Sequence, residues 1–345
     1  MRALVLDGVG GLEHLALREV RAPEIAAPDE VRVAIRAAAL NRLDLFVAGG
    51  LPGKPPAFPH VVGSDGAGVV ESIGAAVTNV RPGDRVMLNP GVSCGACPAC
   101  ARGDESLCDR FSILGEHRAG TAAEYVVIPA VNLAPVPGGM SWAEAAAFPL
   151  ATLTAWRMLT TRAAVRAGET VLVWGAGGGV AQAAIRIAVH LGATVISTSG
   201  SDAKLAIARR LGAAETINRA AQDVVAEVKR ITGRRGADVV VDSVGEQTWP
   251  VSLRAIARGG RLVTCGATSG PMVQLDVRRL FWHQWTILGS TMGSRAEFAE
   301  IVALAHEGKL WPVVDSVVPL ENAVVAFRRL ASGEQAGKLV IEVSS

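Results

Sequence analysis

An α/β fold in two units, one mostly β and one a doubly wound parallel sheet, is predicted by three observations. The stretch Val171–Val195, VLVWGAGGGVAQAAIRIAVHLGATV, reads as strand, glycine turn, helix and the start of a second strand. From about residue 150 to 289 strands alternate with helices, the pattern of a parallel sheet whose strand ends form a ligand crevice. Before that, short β-branched or alternating runs separated by Gly, Pro and Asp turns mark a compact β unit. The boundaries expected are 1–149 with 290–345 for the β unit and 150–289 for the doubly wound unit.

Strands of the β unit are expected at Ala3–Leu6, Val31–Ala37, Val69–Ile73, Arg85–Leu88 and Ala123–Ile128, with turns at APDE (27–30) and RPGD (81–84). The second unit opens with the apolar strand Val171–Trp174. Gly175–Gly179 then carries almost no side chains, and Ala181–Leu191 keeps a helical apolar period until Gly192 stops it. Glycine is needed where backbone N–H groups at a helix N-terminus approach a pyrophosphate closely. Strict G-x-G-x-x-G fails at Val180, but G-x-x-G-x-x-A, from Gly175 through Gly178 to Ala181, keeps a small residue at each contact. An ordinary βα turn is the competing reading. Helices are expected at Asp202–Leu211, Asp223–Thr232 and Thr248–Ala257, and strands at Glu215–Ile217, Ala237–Asp242, Arg261–Cys265 and Thr286–Leu288. The tail adds helices at Ala296–Glu307 and Leu320–Ala331, then a strand, Lys338–Val343, that is expected to return to the first unit.

Composition narrows the partners. A chain of 345 residues holds about two domains at roughly 150 residues each, and 50% hydrophobic content fills two cores. A net charge of +2 supplies no basic field, and 4% aromatic residues supply no stacking surface, so no nucleic-acid partner is expected. No uncharged apolar run reaches the ~18 residues that span a bilayer, and Met1–Asp7 is not a signal peptide. A cytoplasmic protein acting on a small molecule, with no membrane partner, is the expectation.

Four of the five cysteines form Cys94-x2-Cys97-x2-Cys100-x7-Cys108, in a lobe at about 91–110 rich in Gly and Pro. Thiolates at this spacing wrap one tetrahedral Zn2+, which closes a loop that has no hydrophobic core of its own. With four protein ligands no position stays open, so such a zinc, one per chain, would be structural. Disulfides and an iron–sulfur cluster are the competing readings. Cys265, in the run LVTCGA, reads as a buried inert thiol.

The cysteine lobe, the glycine turn and the segment GSDGAGVVESIG together resemble the medium-chain dehydrogenase/reductase superfamily, over essentially the whole chain. The resemblance implies a GroES-like β domain, interrupted in sequence, and a Rossmann domain that carries NAD(P). Zinc alcohol dehydrogenases of that superfamily hold a second, catalytic zinc. Its ligand positions correspond here to Asn41 in NRLD, Ser64 in GSD and Leu150 in PLATLTAW, and these offer neither thiolate nor imidazole. Leu43 and Phe46 likewise stand where the hydroxyl relay of those enzymes runs. The pattern resembles instead the quinone oxidoreductases and enoyl reductases, which pass hydride from NADPH to a conjugated alkene or quinone. The alternatives are a zinc-type alcohol dehydrogenase acting on alcohols or aldehydes, and a non-catalytic NADPH-binding scaffold.

From the same resemblance, Gly175, Gly178, Gly179 and Val180 are the expected pyrophosphate turn. At the end of the second Rossmann strand, where NAD enzymes carry an acid for the ribose 2′-OH, this chain reads TSGS at 198–201. Ser199, Ser201, Lys204 and Arg219 are therefore expected to bind a 2′-phosphate, making NADPH the cofactor and NADH the weaker expectation. Thr154, Val244, Gly266, Ala267, Ser290, Thr291 and Met292 are expected at the nicotinamide end, and Arg295 at the pyrophosphate. On the acceptor side, Asn41 is expected to orient the ribose or a substrate oxygen and Ser64 to bind the substrate oxygen. Asp44 and Asp65 lie near them in a structural or proton-carrying role. Phe46, Leu51, Phe58, Trp282 and Trp285 are candidates for an apolar pocket, Trp282 and Trp285 equally for packing. A homodimer or homotetramer is expected, with the last Rossmann strand as the subunit edge.

Overall fold

The computed structural model describes residues 1–53 and 55–344. The chain forms two compact units, Met1–Ala151 with Gly293–Ser345, and Thr152–Met292.

In the first unit a seven-stranded sheet runs in the order Leu133–Pro135, Arg85–Leu88, Asp65–Ile73, Glu30–Ala39, Lys338–Glu342, Val314–Pro319, and Tyr125–Pro129 also pairs with Glu30–Ala39. Glu30–Ala39, EVRVAIRAAA, is the central strand because its apolar residues recur every second position, and Val31, Val33 and Ile35 are fully buried. Around them pack Leu6, Leu88, Leu114, Ile128, Phe327 and Ile341. The strand Lys338–Glu342 lies antiparallel to Glu30–Ala39 and parallel to Val314–Pro319, so the first unit is completed by residues far along the chain.

The second unit is a six-stranded, wholly parallel sheet in the order Glu215–Asn218, Thr194–Ser199, Thr170–Trp174, Ala237–Val241, Ile256–Thr264, Thr286–Gly289. Its first strand in sequence is therefore central, and the order reverses beside it, the crevice position for a nucleotide in such sheets. Every residue of Thr170–Trp174 is buried, as an apolar strand covered by helices on both faces must be.

Several elements depart from expectation. The strand expected at Arg261–Cys265 begins at Ile256, passing through Arg258-Gly259-Gly260, which reads locally as a turn. Helices Arg42–Gly49, Trp142–Ala147, Pro149–Arg157 and Val277–His283 and the strand Val314–Pro319 were not foreseen. The last, VDSVVP, is a sheet edge with no fully buried residue, so it lacks the alternation that marks an interior strand. Trp142–Ala147 carries a start signal in its sequence: Ser141 Oγ accepts from Glu144 N at 3.2 Å and Glu144 Oε2 accepts from Ser141 N at 2.9 Å. Among the described residues no helix is long and apolar enough to cross a membrane.

Gly68 pairs with Ile35 where the register between the two strands slips. A Cβ there would lie 2.1 Å from Ala34 O and 2.9 Å from the Ile35 Cα, all backbone. Gly68→Ala is expected to destabilise the protein by about 1–3 kcal/mol, read as a lowered denaturant midpoint; an unchanged midpoint would show that the strands part without cost.

Candidate functional site

In the first unit three of the expected residues, Asn41, Asp44 and Asp65, converge, Ser64 is next to Asp65 in the chain, and Lys338, which sequence reasoning missed, joins the cluster. Asn41 follows the central strand and is the N-cap of Arg42–Gly49. Its Nδ2 donates to Asp65 Oδ2 at 2.9 Å and to Ala39 O at 3.4 Å, while its Oδ1 accepts from Lys338 Nζ at 2.6 Å. Lys338 also donates to Asp65 Oδ2 at 2.9 Å, and Asp65 Oδ1 accepts from Leu150 N at 2.8 Å. Exposure of Asn41, Asp65 and Lys338 is 8%, 0% and 4%, so each charge depends on its partners rather than on water. Lys338 was signalled only as a lysine at the head of the apolar strand KLVIE, an odd place for an ammonium.

Asp44 lies against the same cap. Its Oδ2 accepts from Asn41 N at 2.6 Å, and its Oδ1 is buried without a hydrogen-bond partner. Burial, only partly offset by the Asn41 N–H and by Lys338, pushes its carboxyl up to about 7. Ser64 Oγ is also fully buried and without a partner. Asp65 is thus a structural acceptor of three bonds, whereas Asp44 and Ser64 keep unused polar capacity. Of the apolar candidates in this unit, Phe46 is half-buried and Leu51 and Phe58 are exposed.

In the second unit the glycine turn is built as the motif requires. Gly175 has φ +98°, and Gly178 is the N-cap of Gly179–His190. No side chain caps that helix, and a Cβ on Gly178 would meet nothing within 4 Å. First-turn N–H groups with open space before them fit a pyrophosphate. At the end of the next strand, Arg219 N donates to Ser199 O at 2.9 Å and Ser201 N to Ser199 Oγ at 3.2 Å, so Ser199, Ser201 and Arg219 lie together. Lys204 is one turn along the helix Asp202–Arg210. The carboxylate of Asp202 is held by Asn218 Nδ2 at 2.8 Å.

The two turns expected at the nicotinamide end also meet: Ser269 N donates to Val244 O at 2.7 Å, and Gly266 and Ala267 lie in the same crossing. Asp242, fully buried, organises it by accepting from Val244 N, Gly245 N, Thr248 Oγ1 and Ser252 Oγ at 2.8–3.1 Å. Thr154 Oγ1 lies 3.9 Å from Met292 Sδ, Ser290 Oγ is buried without a partner, and Thr291 is exposed. Burial pushes the Cys265 thiol up to about 12, an inert state. Trp285 is a core residue whose Nε1 donates to Ala257 O, while Trp282 is 65% exposed.

The four-cysteine lobe belongs to the first unit. Its four Sγ atoms all lie within 4.8 Å of one another, with Cys97–Cys100 at 3.5 Å and Cys94–Cys100 at 3.9 Å. The edge of a zinc–thiolate tetrahedron is about 3.8 Å for a Zn–S bond of ~2.3 Å, so this donor set fits that ion. Ala96 and Cys97 N–H groups donate to Cys94 Sγ and bring its thiol down to about 5. Arg295 is engaged at this lobe: its Nε lies 3.2 Å from Glu105 Oε1, and its other guanidinium nitrogen donates to Ser93 Oγ at 3.3 Å.

The raised Asp44 carboxyl carries a stability consequence. Between the unfolded value of about 3.9 and the folded value of about 7 the native state holds a proton that the unfolded chain has lost. That contribution is complete below the unfolded value and is lost as pH rises through the folded one. Asp44→Asn, which carries no titrating proton, is expected to gain stability relative to wild type by up to about 1.4 kcal/mol per pH unit across that window. Parallel stability–pH curves from denaturant melts would refute the raised value of this carboxyl.

The alcohol dehydrogenase GroES-like domain family matches residues 27–138, and the zinc-binding dehydrogenase family matches residues 179–307. The chain is 33% identical to a zinc-type alcohol dehydrogenase-like protein of Schizosaccharomyces pombe, covering 99% of each. It is 28% identical to the quinone oxidoreductase of Homo sapiens, covering 99% of this chain and 97% of that one. A solved structure described as an NAD-dependent alcohol dehydrogenase is 48% identical and superimposes with a TM-score of 0.96, with 100% of each chain covered. With both domains matched in order and relatives aligned from end to end, the chain belongs to the medium-chain dehydrogenase/reductase superfamily and is an oxidoreductase of the NAD(P)H-dependent kind.

Proposed function

We propose that this oxidoreductase is an NADPH-dependent reductase of conjugated carbonyls or quinones that holds one structural zinc. The observation that carries the reading is the cluster at Asn41, Asp65 and Lys338. Where alcohol-oxidising members of the superfamily have metal-binding side chains, this chain has an amide bonded to a lysine ammonium, the Ser64 hydroxyl and the Leu150 side chain. Among the described residues the four cysteines are the one group of three or more His, Cys, Asp or Glu side chains close enough to hold a metal.

An alkene or quinone polarised by its own conjugation needs less help than an alcohol, whose hydroxyl proton must leave. A bound nicotinamide would supply the hydride. For that cofactor, Gly175, Gly178, Gly179 and Val180 would cradle the pyrophosphate, and Ser199, Ser201, Lys204 and Arg219 the 2′-phosphate. Thr154, Val244, Gly266, Ala267, Ser290, Thr291 and Met292 would border the ring. Ser64 would hold the acceptor's oxygen, and Asp44, with a proton at hand near neutral pH, is the residue of the cluster able to exchange it. A zinc ion on Cys94, Cys97, Cys100 and Cys108 would fix the lobe. Arg295, engaged at that lobe, supports a structural role there in preference to the pyrophosphate. A homodimer or homotetramer is part of the same reading.

Alcohol dehydrogenase activity is the second reading, favoured by the 48% identical structure described as an NAD-dependent alcohol dehydrogenase. A panel of enones, quinones and primary and secondary alcohols, each with NADPH and NADH, separates the two. Turnover of conjugated acceptors with a kcat/KM at least about tenfold higher for NADPH is expected, a preference of roughly 1.4 kcal/mol; alcohol oxidation with NAD alone would replace this reading. Metal analysis of the same protein is expected to give one zinc per chain, lost in Cys97→Ser together with several degrees of thermal midpoint. Two zincs per chain would favour the alcohol dehydrogenase.

A further inference from the structure

We propose that Lys338 is a positioning residue of the acceptor site: its ammonium fixes which way the Asn41 amide faces and holds the carboxyls of Asp65 and Asp44 as one charge-balanced set. This rests on reading the Asn41–Ser64 region as the acceptor side of the reductase.

The geometry leaves little freedom. An ammonium only donates, so the atom of Asn41 at 2.6 Å from Lys338 Nζ must be the amide oxygen. The opposite side of the amide meets Asp65 Oδ2, an acceptor, which demands the NH2. Both neighbours select the same orientation. Both N–H groups of the amide are then spent, on Asp65 and on Ala39 O. Asn41 can therefore accept from a hydroxyl, such as that of a ribose, but has no hydrogen left for a carbonyl oxygen. Donors that remain near the cluster are the unpartnered Ser64 hydroxyl and the third N–H of Lys338. The carbonyl of an acceptor is thus left to Ser64 or to the third N–H of Lys338, and Asn41 to orienting a hydroxyl.

The charge argument runs through the same atoms. The charged groups facing Asp44 are Lys338, from the strand Lys338–Glu342, and Asp65, from the strand Asp65–Ile73, with the Asn41 and Gly63 N–H groups completing its surroundings. One cation serves two carboxyls, so removing it leaves Asp44 beside an unbalanced negative neighbour. A charge at this range shifts a carboxyl by about one to three pH units.

The test follows the Asp44 proton directly in the full-length, zinc-loaded protein without substrate, by pH-difference infrared spectroscopy of the carboxylic-acid C=O band, assigned through its loss in Asp44→Asn. In wild type the band is expected to titrate at about 7. In Lys338→Met its midpoint is expected at least about one unit higher, and in Lys338→Arg, which keeps the charge, at the wild-type value. Lys338→Gln, neutral but polar, is expected to move the midpoint upward as well, and decides the matter if Lys338→Met does not fold. An unchanged midpoint in a folded variant that removes the Lys338 charge would overturn the proposal. The pH profile of kcat/KM is expected to move with the band in Lys338→Met and to return in Lys338→Arg. Because the infrared readout needs no turnover, the two failures are distinct: a failed enone and quinone panel removes the acceptor-site reading and leaves only the Lys338–Asp44 charge linkage, whereas an unmoved band fails this proposal alone.

Discussion

A buried lysine that must not be left unpaired is the constraint on which the rest of the first unit depends. Lys338, Asp65 and Asn41 come from three distant parts of the sequence and are almost fully enclosed, so no one of them is tolerable without the other two. Their meeting requires the strand Lys338–Glu342 to lie beside Glu30–Ala39, which in turn aligns Asp65–Ile73 on the other side. Asp65 extends the constraint further by accepting from Leu150 N, just before the boundary of the two units. One ion pair therefore registers the sheet, the cap of the helix Arg42–Gly49 and the backbone at Leu150.

How much of this was legible in the sequence depended on the distance over which each signal acts. The glycine turn is local: strand, Gly175, Gly178 and helix lie within one short stretch, and the backbone geometry demanded by such residues leaves few alternatives. The cysteine lobe was legible for the same reason, four ligands spaced closely enough that their order implies their convergence. Lys338 was not, since 273 positions separate it from Asp65 and no motif announces a pair made across a sheet. Asn41 and Asp65 were found only through resemblance, and their mutual hydrogen bonds not at all. Arg295 was placed at the cofactor by resemblance alone, and its bonds to Glu105 and Ser93, a long way off in sequence, were not legible.

The buried aspartates Asp242 and Asp44 meet their polar demands differently. In the second unit, Asp242 is buried but satisfied by four donors from its own turn and the following helix, an arrangement that makes a rigid loop out of short-range bonds. In the first, Asp44 and Ser64 keep polar atoms without partners.

The late strand Lys338–Glu342 also orders events during protein synthesis. Residues 152–292 form one uninterrupted stretch whose six strands are all present before the tail is translated. The first unit, although most of its sequence leaves the ribosome earlier, lacks an interior strand until Lys338–Glu342 emerges. The unit encoded second is thus the first able to close, and the one encoded first waits with the flank of Glu30–Ala39 open, a template for strand addition by other chains. Lysine at the head of the missing strand helps to make its own strand the correct guest: an intruding strand without an ammonium at that position would bury Asp65 uncompensated.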